Sequence, residues 1–167
     1  MNETPVKPIV VGVDGSASSI DALRHAAELA AVTDAPIEAV TAWQFPITYD
    51  RTMTLQPWDP ESEARKIAVE AIEEAFPAGA PERLTSVVAA GPAAAVLVRR
   101  SAEASMLVVG SRGRGGFAGM LLGSVSTACA QHAHCPVLIM HPSGDRHDRH
   151  GASARTAAEP VAHSVPA

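Results

Sequence analysis

A chain of 167 residues with 13 Lys+Arg against 18 Asp+Glu, a formal net charge of −5 and 47% hydrophobic residues reads as one soluble domain able to bury its own core. The acidic balance speaks against a nucleic-acid partner. Two cysteines, Cys129 and Cys135, are too few for a disulfide scaffold and point to a reducing compartment, so a cytoplasmic protein is expected. The first residues lack a basic segment followed by an apolar run, and no window approaches the roughly 18 apolar residues that span a bilayer.

In chain order, Ile9 to Val13 is a short apolar run ending at Asp14-Gly15-Ser16, the pattern of a strand buried on both faces that stops at a turn. Ser18 and Asp21 stand at capping-box spacing, and Ile20, Leu23, Ala27 and Ala30 form one stripe, predicting an amphipathic helix that Pro36 closes. Ile37 to Ala42 reads as a second strand, and the stretch from Trp43 to Trp58 as a rim loop whose tryptophans serve as hydrophobic cover. Asp59-Pro60-Glu61 starts a second helix, because Asp caps free donors and Pro has no N–H to leave unpaired. Its buried stripe runs through Ala64, Ile67, Ala68, Ala71, Ile72 and Ala75.

Arg83 to Ala89 is the third strand, and an Ala-rich helix follows Gly91-Pro92 to about Ala102. Met106 to Val109 is the fourth strand, Val125 to His132 the fourth helix and Pro136 to Met140 the last strand. The alternation βαβαβαβαβ specifies an open parallel α/β sheet covered on both faces, without giving strand order. Residues 1–143 form this domain. From Gly144 to the end the chain has almost no large aliphatic residue and is expected to be a disordered tail. Its His147, His150 and His163, and the group Cys129, His132, His134 and Cys135, are read as solvated or helix-end residues and buried thiol rather than as zinc ligands.

Chemistry is expected beyond the carboxyl ends of the strands. Strand one ends in Asp14, and strand four in Gly110-Ser111-Arg112-Gly113-Arg114-Gly115-Gly116. If the two are neighbours, a carboxylate and a glycine-rich loop share one crevice. Such a loop exposes N–H donors able to cradle phosphate, and Gly123-Ser124 opens a helix whose N-terminus favours an anion. Asp14 alone would be a turn residue; joined to the glycine spacing it is read as a ligand contact. The loop has no lysine, which excludes a Walker A site. Gly113 to Ala118 matches G-x-G-x-x-A, but no acidic residue follows about 20 positions on. Val109 stands where a nucleophile elbow needs its first glycine.

Gly110, two residues, Gly113, nine residues, Gly123-Ser124 is the signature G-x2-G-x9-G-[ST]. With VVGVDGS at residues 10–16 and HCPVLIM at 134–140, the chain resembles the nucleotide-binding subclass of the universal stress protein family over about residues 6–142. The resemblance implies a Rossmann-like sheet in the order 3-2-1-4-5, ATP as ligand with Mg²⁺, at most weak ATPase activity, a regulatory role in the stress response, an unidentified protein partner, and a homodimer through the last strand. It implies that Asp14 faces the nucleotide or helps hold Mg²⁺, and that the Ala42 backbone meets the adenine. Gly110 would lie against the ribose, Ser111, Arg112, Gly113, Arg114, Gly115 and Gly116 would wrap the phosphates, and Gly123, Ser124, Val125 and Ser126 would supply helix-end donors. Gly12 is expected to be small to leave room for the ligand. Two other readings stand beside this one: a slow Mg²⁺-dependent hydrolase or transferase using Asp14, and a dimeric interaction module without nucleotide.

Overall fold

The computed structural model describes residues 6–45, 59–114 and 121–142. Among these residues five strands alternate with four helices: β1 (Ile9–Gly12), α1 (Ala17–Thr33), β2 (Ile37–Trp43), α2 (Pro60–Ala75), β3 (Leu84–Ala90), α3 (Ala93–Ser101), β4 (Met106–Gly110), α4 (Ser124–His132) and β5 (Val137–Met140). All pairings are parallel, in the order β3-β2-β1-β4-β5. Ile9 stands opposite Ile37 on one side and Met106 on the other.

Strand alternation divides the core in two. Ile9, Val11, Ile37, Ala39 and Val108 point to one face, where they pack with Leu23 and Ala26 of α1 and Ala71 and Ala75 of α2. Val10, Val40, Leu107 and Val109 point to the other, against Val96 and Leu97 of α3 and Cys129 of α4. Both faces are therefore dry, which is why the strands read as unbroken apolar runs rather than as alternating ones. From β1 the chain leaves through α1 over one face toward β2, and from β4 it leaves through α4 over the other toward β5. The crevice between these two departures is the switch point of the sheet.

The elements match the sequence reading with small shifts at their ends. α2 starts where expected: Asp59 accepts from the N–H groups of Glu61 and Ser62 at 3.1 and 3.2 Å, and Pro60 fills the first helical position. The start of α1 differs. Its cap is Ser16, which accepts from the Ser19 N–H; Ser18, expected to cap, is buried inside the first turn. The reason lies one residue earlier, where Gly15 adopts φ +75° and turns the chain so that Ser16 reaches the helix end. Trp43 closes β2 rather than opening the rim loop, and meets Phe45 edge-on at 5.7 Å. Residues 46–58, with Trp58, and the tail from residue 144 lie outside the described residues. Among the described residues, no helix is long and apolar enough to cross a membrane.

Candidate functional site at the switch point

A cavity of about 1050 Å³ opens along the carboxyl ends of β1, β2 and β4. It straddles the sheet edge: Ala64 and Ile67 of α2 line it from one face, Ala93 and Leu97 of α3 from the other. Of the site residues expected from sequence, Gly12, Asp14, Ala42, Gly110, Arg112, Gly113, Arg114, Gly123, Ser124, Val125 and Ser126 all line it. Gly115 and Gly116 lie outside the described residues. Ser111 is absent from the lining; it is fully buried, and its hydroxyl has no hydrogen-bond partner among the described residues. Its backbone is structural, with the N–H donating to Met140 O and the carbonyl accepting from Gly123 N, both at 2.7 Å.

The β1–α1 turn and the β4–α4 loop are tied to each other across this crevice. The Asp14 carboxylate accepts from the Ser16 N–H at 3.0 Å and the Ser16 hydroxyl at 2.6 Å through Oδ1, and from the Arg114 N–H at 3.2 Å through Oδ2. Asp14 is thus both the turn residue that Asp-Gly-Ser suggests and a side chain on the cavity wall. The Ser18 hydroxyl donates to the Arg112 carbonyl at 2.6 Å.

The glycines are needed for this apposition. A Cβ on Gly110 would overlap the Ser18 hydroxyl and lie 2.9 Å from Ser18 Cβ, and one on Gly113 would lie 2.5 Å from Asp14 Oδ2. On Gly12 it would lie 2.9 Å from Leu97 Cδ1, so the space expected to serve a ligand is taken up in part by α3.

Beyond the loop, α4 begins at Gly123, which brings no side-chain hydrogen bond to the helix end. The first N–H groups of a helix have no intrahelical acceptors, and here Gly123 to Ser126 line the cavity. Ser126 turns its own hydroxyl back to the carbonyls of Ser111 and Gly123, both at 3.0 Å, bracing the turn rather than capping it. Donors, the positive end of a helix dipole and two arginines at the rim make this end of the cavity suited to an anion. The other end, toward β2 and α2, is lined by Val40, Ala42, Trp43, Ala64 and Ile67, a surface suited to a flat apolar group.

Thr41, Ser19, Ile67 and Gln131 also line the cavity and were missed from sequence. Ile67 was legible only as part of the core stripe of α2, because which turn of that stripe overhangs the sheet edge depends on how α2 docks. No group of three metal-ligating His, Cys, Asp or Glu side chains occurs among the described residues. Cys129 is fully buried, and burial, reinforced by the neighbouring Cys135, pushes its thiol pKa up.

Comparison with known proteins bears on the family and the fold. The model of the universal stress protein family matches residues 5–141. Universal stress protein Rv2623 of Mycobacterium tuberculosis is 38% identical over 141 residues, covering 81% of this chain and 46% of that protein. A universal stress protein of Mycolicibacterium smegmatis is 35% identical over 142 residues, with the same shares. The chain spans about half the length of the curated relatives it matches. Among solved structures, a universal stress protein in complex with cAMP is 32% identical with a TM-score of 0.60, covering 84% of this chain and all of that one. UspA from Lactobacillus plantarum, at 17% identity and TM-score 0.64 over 83% of this chain and 99% of that one, shares the fold. With a matching family model across most of its length and the sheet order that its signature residues implied, the chain belongs to the universal stress protein family.

Proposed function

We propose that the chain binds an adenine nucleotide, ATP with Mg²⁺ in the first instance, in the switch-point cavity, and that occupancy regulates a protein partner in the stress response rather than driving turnover. The observation that carries this is the uncapped start of α4 opening into the cavity beside the Gly110–Gly113 loop, in the chain that meets the spacing G-x2-G-x9-G-[ST]. A relative of similar length crystallised with cAMP supports the ligand class. The phosphates would lie against Gly113 and the N–H groups of Ser124 to Ser126, the Gly123 N–H being already given to the Ser111 carbonyl, and the base toward Ala42. Asp14 offers a single carboxylate, which together with phosphate oxygens and water suits Mg²⁺, so the ion would enter with the nucleotide.

Slow hydrolysis at most is expected, because no residue of the loop is an evident general base and binding without contacts specific to the transition state gives little rate. The free thiols Cys129 and Cys135 suit the cytoplasm.

The test is to purify the protein gently, denature it and identify any released nucleotide by mass spectrometry, with Gly113→Asp as control. Adenine nucleotide in the wild type that is lost in the control supports the reading. An empty wild type that also fails to bind added MgATP overturns it in favour of an interaction module. Multiple turnover abolished by Asp14→Asn with binding retained would establish the enzyme reading instead.

A further inference from the structure

We infer that Ser18, at the buried first turn of α1, is a positioning residue for the phosphate-binding loop of the proposed nucleotide site; this rests on the nucleotide reading above. Ser18 is 2% exposed and lies outside the cavity lining, so it acts through another group. Its hydroxyl donates to the Arg112 carbonyl at 2.6 Å, and the Ser16 hydroxyl reaches the same oxygen at 3.4 Å. No peptide bond among the described residues is cis. In a trans peptide the C=O of one residue and the N–H of the next point in opposite directions. Anchoring the Arg112 carbonyl on α1 therefore aims the Gly113 N–H away from α1.

The Gly113 nitrogen lies beside Gly123, 3.8 Å from where a Cβ on that glycine would stand. The anchored peptide thus presents its donor next to the free N–H groups that start α4. Gly110 completes the device, since only the absence of its side chain lets β4 press against Ser18 closely enough for the bond. The Asp14 contact to the Arg114 N–H holds the far side of the same short segment. Ser18 consequently sets the orientation of one phosphate donor without touching the base end of the cavity.

This separation defines the experiment. Dissociation constants for ATP with Mg²⁺ and for adenosine, which has no phosphate, are measured by calorimetry or NMR titration on the wild type, Ser18→Ala and Leu23→Ala. Leu23 is a buried core residue of α1 outside the cavity lining and reports what general loosening does. The expected result is that Ser18→Ala weakens ATP about tenfold, as loss of one well-made hydrogen bond would, while adenosine stays within about twofold and Leu23→Ala shows no such split. Unchanged ATP affinity in Ser18→Ala, an equal loss for both ligands, or the same split in Leu23→Ala overturns the inference while leaving the nucleotide site in place. A wild type that binds neither ligand removes the nucleotide reading itself, and this inference with it.

Discussion

Gly110 and Gly113 look interchangeable as letters of a motif, yet each meets a different obstacle. Gly110 faces Ser18, both side chain and backbone, with no room to give. Gly110→Ala is therefore expected to cost about 1–3 kcal/mol of stability, as overpacking does, seen as a lower urea midpoint. Gly113 faces only a carboxylate oxygen, so Gly113→Ala should displace Asp14 and the loop, lowering ATP affinity more than stability. The two cysteines are separable as well. Burial raises the thiol pKa of both, but Cys129 is fully buried and Cys135 only partly. Reaction with a thiol reagent at pH 8 should label Cys135 first, with the rate rising with pH, and reach Cys129 only in denaturant. Because unfolding would return Cys129 toward its ordinary value of 9.0, the unfolded state loses that proton first, and stability contributed by the buried thiol falls as pH climbs above 9.

At the scale of elements, helix ends carry the clearest local signals and also the clearest miss. Asp59→Ala leaves two N–H groups of α2 without their side-chain acceptor and should cost about 1 kcal/mol in thermal or urea unfolding. That cap was legible because Asp, Pro and Glu act within four residues. The cap of α1 was not, since Ser16, Ser18 and Ser19 are chemically equal in sequence. The choice among them is made by the Gly15 turn and by the Arg112 carbonyl, 94 residues away from Ser18. The strands were legible from their apolar runs, β1 and β4 above all, because burial on both faces leaves no polar position to confuse the pattern.

At the scale of the whole molecule, β5 is an edge strand of the sheet among the described residues. The carbonyls of Pro136 and Met140 accept from Leu107 and Ser111, so the backbone groups of Val137 and Ile139 face away from β4. All four β5 residues are half-buried, and an apolar edge of this kind invites pairing with a second copy. If the proposed dimer forms there, Ile139→Pro removes an outward N–H while sparing the bonds to β4, and sedimentation should show a monomer where the wild type is a dimer. A monomeric wild type would remove the dimer from the functional reading.

The amino-acid sequence by itself determined the number and kind of elements, the buried character of the strands and the residue types gathered at the ends of β1 and β4, because these follow from side-chain pattern and turn chemistry within a few residues. Through its signature it also implied the strand order. Only the tertiary structure decided that β1 and β4 are neighbours in fact, that Ser111 turns inward while Gly113 lines the cavity, that Gly12 makes room for Leu97, and that α2 contributes a wall. Each of these depends on contacts between segments tens of residues apart, where the position of one backbone is set by the steric limits of another.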